Sequence, residues 1–377
     1  MPRMPASRVR FLRWCLPLVV LFATGCAETR YYWQSASGHL QLMRAARPVD
    51  DWLADRDTPV ELRRRLELAR SIRAFAVTEL GLPDNASYHR YADLRRRSVV
   101  WNVVATPPYS LKVREWCFPV LGCIGYRGYF SEADARAEAT ALQAEGLEVT
   151  VYGVPAYSTL GWTNWLGGDP LLNTFIQWPE VELARIIFHE LAHQVVYAED
   201  DTPFNESFAT AVERLGSAAW VRHTGSATGL ADGEAFDLRR RQFRALTSST
   251  RERLRAVYAP TAGPEASDEA KAAGKARVMQ AFRDDYARLR QEWNAYAGYD
   301  AWVAGANNAS FAAQAAYDDL VPAFEALFER EGQHWPAFYA AVRTLATLPK
   351  DERRRQLEAL RGGGTQARVG TVSPGSR

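Results

Sequence analysis

Apolar and polar positions change their rhythm along the chain. In the first half, Ser98–Ala105 is rich in Val99, Val100, Trp101, Val103 and Val104, Glu148–Tyr152 alternates, and Tyr109–Cys117 and Ile124–Phe130 flank a cysteine pair. These segments predict strands. Thr58-Pro59-Val60-Glu61 has the form of a capping box with proline at the first helical position. It predicts a helix capped by Thr58 and running to the stop at Gly81-Leu82-Pro83. Ser131 and Gly146 bracket another. Beyond residue 179 the spacing is helical almost throughout. Two helices are expected within 179–220 and two long, charged, alanine-rich ones over 232–258 and 267–297. A turn, Ala259-Pro260-Thr261-Ala262-Gly263-Pro264, makes the long helices an antiparallel pair. Two more are expected over 310–331 and 335–347. The Gly/Ser-rich segment 362–377 predicts a disordered tail. The pattern is α+β and mostly helical, with a small sheet and an α-helical C-terminal half.

The N-terminus has a pattern of its own. Arg3, Arg8, Arg10 and Arg13 precede the apolar run Trp14–Thr24. The run is shorter than the ~20 residues that span a bilayer and suits an export signal. It ends in Ala23-Thr24-Gly25-Cys26, which resembles a lipobox. Residues 1–25 are then a signal peptide, Cys26 carries lipid, and 26–57 form an anchored N-terminal segment; an ordinary signal peptide cut near Gly25 is the alternative. Ala27 follows the cysteine where an Asp would favour the inner membrane. The periplasmic face of the outer membrane is therefore the expected location, with the lipid as the membrane contact.

Composition sharpens this picture. With 47% hydrophobic and 24% charged residues the chain is globular. The net charge is +2, but removing four arginines and no acid with the signal leaves 42 basic against 44 acidic residues, a net −2. Nothing here favours a generic nucleic-acid binder. Four cysteines are too few for a disulfide-built scaffold. Cys15 leaves with the signal and Cys26 takes lipid. Cys117 and Cys123 read as a disulfide closing a short loop, and as a metal pair less well, since no second Cys-x-x-Cys or neighbouring His accompanies them.

The candidate chemistry lies on one segment. His189-Glu190-Leu191-Ala192-His193 sits in an apolar helical stretch free of Gly and Pro, Val181–Val196. His189 and His193 are i and i+4, so they project from one helix face and can bind one zinc ion. Glu190 is placed to hold a metal-bound water. A catalytic zinc takes three protein ligands and a water, and Glu206, in Asn205-Glu206-Ser207-Phe208-Ala209 after the Asp200-Asp201-Thr202-Pro203 break, is the expected third. The competing reading is a core histidine pair beside a surface glutamate. Glu213, about two turns past Glu206, either hydrogen-bonds a zinc-bound histidine from behind or is an exposed helical residue. Arg185, one turn before His189, either pairs with an acid or is solvated.

His-Glu-x-x-His followed by Asn-Glu-x-Phe-Ala is similar to gluzincin aminopeptidases. The whole chain resembles a family of bacterial lipoproteins regarded as aminopeptidases, through Tyr31-Tyr32-Trp33-Gln34, the Cys117/Cys123 loop with Gly125-Tyr126-Arg127-Gly128-Tyr129-Phe130, Tyr157–Trp162, the zinc helix and Asn307-Asn308-Ala309. The resemblance implies a zinc-dependent peptidase with one Zn²⁺ per chain on His189, His193 and Glu206, and a small sheet packed on a zincin-like helix. Glu190 would be the general base toward the zinc-bound water. A zincin-like catalytic region is expected over 58–230 and a helical subdomain over 231–361. Tyr157, Ser158 and Thr159 would pair with substrate backbone. The oxyanion donor would be Tyr157, Tyr197, Tyr317 or His334, with Tyr317 favoured because it follows Asn307-Asn308. The Gly-x-Met-Glu-Asn segment with which classical gluzincin aminopeptidases hold the substrate amine is not found. An endopeptidase, or a non-catalytic zinc protein of the envelope that binds partners, therefore stays open.

Overall fold

The computed structural model describes residues 30–118, 122–156, 167–199, 201–225, 227–259, 266–315 and 320–366. Helices dominate and the strands are short, an α+β fold that is mostly helical. A first helix, α1, covers residues 30–45. It is followed by β1 (Arg47–Pro48), α2 (Val49–Ala54), α3 (Val60–Thr78), β2 (Arg90–Ala92), β3 (Val100–Thr106), β4 (Trp116–Phe118), β5 (Gly122–Ile124), β6 (Arg127–Tyr129), α4 (Glu132–Ala144), β7 (Glu148–Val154) and β8 (Leu171–Leu172). The remaining helices are α5 (Glu180–Ala192), α6 (Thr202–Thr224), α7 (Ala227–Tyr258), α8 (Asp268–Glu292), α9 (Asp300–Ala304), α10 (Asn308–Ala315), α11 (Val321–Arg330), α12 (Trp335–Ala346) and α13 (Lys350–Gln366).

Some local signals act as expected and others are overridden. Ser131 caps α4, its side chain accepting from the Asp134 amide. Thr58 does not cap α3. Its hydroxyl donates to the Trp52 carbonyl at 2.7 Å, and Pro59 takes the cap position with no side-chain bond. The carbonyl left open at the end of α2 competes for the hydroxyl and wins. Of the strand expected over 109–117, only its end pairs, as the β4–β5 hairpin in which Cys117 faces Cys123 and the two are disulfide-bonded. Residues 362–366, expected to belong to a disordered tail, instead end α13, and 367–377 lie outside the described residues.

The main sheet is antiparallel, in the order β6-β3-β7, with Trp101 opposite Tyr129 and Gly153. Its odd-numbered β3 positions, Val103 and Ala105, pack with Tyr129 and Val149 onto Ala135, Ala139 and Leu142 of α4. Asn102, on the opposite face, meets the Tyr152 hydroxyl. A smaller sheet, β1-β2-β8, pairs Tyr91 with Leu171 in parallel and joins the main core. That core is built from α3, α5, α6, α11 and α12, with Ile72, Phe75, Leu183, Phe188, Phe204, Phe208, Phe324 and Phe338 buried together. It draws on residues on both sides of the boundary expected at 230/231. A second cluster holds α7 to α8 and α10 through Phe243, Leu254, Met279, Phe282 and Phe311.

Asn307 and Asn308 join this second cluster to the sheet. The Asn307 amide donates to Val149 O, the Asn308 backbone N–H to Glu148, and the Asn308 amide to Pro108 O. Asn308 Oδ1 accepts from the Tyr258 hydroxyl.

A buried ion pair fixes the start of α6. Asp201 caps the helix, accepting from the Phe204 amide, and its other oxygen lies 2.5 Å from Arg353 Nη1. Arg353 also donates to the carbonyls of Leu345, Ala346 and Leu348. Both side chains are under 10% exposed. Arg353→Met should strand the carboxylate and cost about 3–5 kcal/mol, read as a lowered denaturant midpoint at unchanged m.

Candidate metal centre

The centre is built where α5 and α6 run antiparallel against each other. Glu180 and Glu182 in the first turn of α5 suit its positive end. Leu183, Ile187, Phe188, Leu191 and Ala192 turn its apolar face wholly into the core. The Trp220 indole, near the end of α6, donates to Glu180 at the start of α5 at 2.9 Å. Gly216 allows the close approach, for a Cβ there would stand 2.8 Å from Leu80 and 3.0 Å from Phe188. The end of α5 is thereby brought to the first turns of α6.

Three donors converge there. His189 Nε2 lies 3.2 Å from His193 Nε2 and 3.4 Å from Glu206 Oε2, and His193 Nε2 lies 3.7 Å from that oxygen. Tetrahedral zinc with bonds of about 2.0–2.1 Å would separate its ligand atoms by about 3.3–3.5 Å. Two imidazole nitrogens and one carboxylate oxygen turned toward a common point at these separations match the donor set of such an ion. The residues present therefore fit a metal ion, and His189, His193 and Glu206 are the group that could hold it.

Burial and the two neighbouring acids set the charge states of the histidines. Burial alone would depress His189, but its bonds to Glu206 and Glu213 outweigh burial and push it up to about 10. Burial lowers His193 to about 4. Glu206 is held below the usual carboxylate range because the two histidines overcome the cost of burial. Glu213 is buried, and its Oε2 lies 3.1 Å from His189 Nδ1. Its other oxygen accepts from Arg240 of α7, whose charge with His189 drives the Glu213 pKa far down against burial. With a metal on Nε2, Glu213 is placed to take the proton on Nδ1 and fix the tautomer of His189. Glu213→Gln should weaken zinc affinity about 10–100-fold, measured by competition with a chelator.

Arg185 pairs with acids away from the metal ligands, Glu182 at 3.0 Å and Asp237 at 2.7 Å. Gln194, directly after His193, accepts from Asn85 and donates to Ser87, pinning the loop before β2 against the end of α5. Tyr126, ahead of β6, is pushed up by burial and then by the charge of Glu206, with smaller contributions from Tyr152 and Tyr197. Tyr197 is about half exposed, and His334 is exposed before α12. Cys26, Tyr157, Ser158, Thr159 and Tyr317 lie outside the described residues. Arg240 carries no local sequence signal, since it reaches Glu213 from α7, remote in the chain. Tyr126 was visible only as part of a longer matching segment.

Residues 30–357 match a family model described as "putative aminopeptidase". No match was found among the curated proteins or the solved structures. Since the matched span takes in the small sheets, both helices of the metal centre and the helices packed on them, the chain belongs to this aminopeptidase family.

Proposed function

We propose that the protein is a zinc-dependent peptidase of the cell envelope, acting foremost as an aminopeptidase. One observation carries this reading: His189, His193 and Glu206 converge to metal-ligand spacing with Glu190 next in sequence to a ligand. The family description supports the choice of peptide substrate. Bound zinc would supply Lewis acidity, lowering the pKa of water toward ~7 and polarising a carbonyl oxygen. Glu190 accepts a proton from the attacking water as the new oxygen–carbon bond forms. The carbonyl π pair moves onto oxygen and returns as the carbon–nitrogen bond breaks. Glu190 gives its proton to the leaving nitrogen, so the products are a carboxylic acid and an amine, which then ionise to carboxylate and ammonium. Glu213 and Arg240 hold His189 in place throughout. The envelope location rests on the signal and lipobox pattern ending at Cys26, with the anchor on the periplasmic face of the outer membrane. Among the described residues no helix is long and apolar enough to cross a membrane.

A form starting at residue 27 should contain one zinc per chain and cleave peptides with a free amine. N-acetylation should abolish that cleavage. Equal cleavage of acetylated peptides would assign an endopeptidase, the reading favoured by the missing Gly-x-Met-Glu-Asn segment. A zinc-loaded protein that cleaves neither kind would rule out the peptidase reading.

A further inference from the structure

Tyr88 combines two unfavourable features at one position. Its backbone has a φ of +67°, in the left-handed region that bulky residues rarely adopt. Its side chain is 3% exposed, and its hydroxyl is buried without a hydrogen-bond partner among the described residues. An unmade bond and a strained backbone each weigh against the fold, and strain of this kind clusters at functional sites.

The surroundings are rigid. The Tyr88 amide donates to Asp169 O at 2.7 Å, and the Asp169 amide donates to Ser87 Oγ at 3.1 Å. Gly168, at φ +66°, lets the two segments touch, for a Cβ there would meet the Ser87 nitrogen at 2.4 Å. Arg73 donates to the carbonyls of Asn85 and Ser87. Gln194 then fastens Asn85 and Ser87 to the end of α5. Gln194 is four residues after Glu190, and His193 between them keeps helical backbone angles, φ −58° and ψ −23°. Glu190 and Gln194 are therefore about one turn apart, and the clamp holds the Tyr88 segment against that end of α5. Burial, then the charge of Glu190 and then that of Asp169, push the phenol well above its ordinary value, so it remains a donor at any working pH.

We propose that Tyr88 is a catalytic residue whose hydroxyl donates to the oxygen of the scissile carbonyl as that oxygen becomes negative. The assignment rests on the peptidase reading above. A tyrosine serving only to orient Glu190 would already be bonded to it, whereas the Tyr88 hydroxyl has no such bond. The acceptor is therefore one that arrives with the substrate. As the water oxygen bonds to carbon, the carbonyl π pair moves to the oxygen that accepts from Tyr88. Tyr88 keeps its proton, and the pair returns when the carbon–nitrogen bond breaks. Such donors act by stabilising charge that develops only in the transition state.

Tyr88→Phe removes one oxygen and keeps the ring and backbone. The expected result is a kcat reduced about 10²–10³-fold, with KM within threefold of wild type, unchanged zinc content and an equal or raised thermal midpoint. A phosphinic pseudopeptide, which mimics the tetrahedral state, should bind more weakly by a similar factor. A kcat/KM within twofold of wild type would overturn the proposal, as would a lowered midpoint with kcat unchanged, which would reveal a structural partner for the hydroxyl. A wild type that neither cleaves peptides nor binds the phosphinic probe would instead overturn the peptidase reading itself.

Discussion

Glu190→Gln should lower peptide hydrolysis by about 10²–10⁴-fold and leave the zinc content at one per chain. The carboxylate is asked to accept a proton from water and deliver it to the leaving nitrogen, and an amide can do neither. The group that could hold the metal is His189, His193 and Glu206, so the substitution removes none of its donors. Gln has nearly the shape of Glu, and the apolar face of α5 that fixes the helix lies elsewhere, in Leu183, Ile187, Phe188 and Leu191. Activity and metal content measured on the same preparation separate the roles. A variant that keeps wild-type turnover would remove Glu190 from the chemistry, and with it the proposed mechanism.

Glu206→Ala should act on the metal itself. Removing one of three donors leaves two imidazoles, a set too small to close a zinc site. The loss of zinc affinity should exceed the about 10–100-fold expected for a supporting residue such as Glu213, and activity should fall with it. Glu206 lies one turn inside α6, whose start is held independently by the Asp201 cap and Arg353. The fold should therefore survive, as checked by circular dichroism and a thermal midpoint in chelator. Unchanged zinc affinity in the Glu206→Ala variant would show that the third ligand lies elsewhere. Because Glu190→Gln should lose turnover but keep the metal, and Glu206→Ala should lose both, the pair distinguishes chemistry from ligation.

Features set by near neighbours in the chain were legible before any fold was known. The i, i+4 relation of His189 and His193 is a property of one helix turn, so two donors were visible without any tertiary knowledge. Ser131 caps α4 because its donor, the Asp134 amide, is three residues away. The Cys117–Cys123 bond joins the two cysteines that remain once the signal and the lipid account for the others, with no further metal-binding residues beside them. Thr58 shows where such reading fails. Its hydroxyl had a legitimate local use as a cap, but the Trp52 carbonyl from the preceding helix was also within reach. A sequence pattern ranks local partners and does not see rivals brought in by a chain reversal.

The sequence alone determined the periodicity of the helices, the histidine pair with Glu190 between, and a carboxylate on a following helix. Only the tertiary structure decided that Glu206 and Glu213 reach opposite nitrogens of His189, that Arg240 backs Glu213 from α7, and that Tyr88 is clamped beside α5 through Gln194. Spacing within a helix follows from backbone geometry common to all chains. The approach of one helix to another depends on side-chain volume at the crossing, here on the missing Cβ of Gly216.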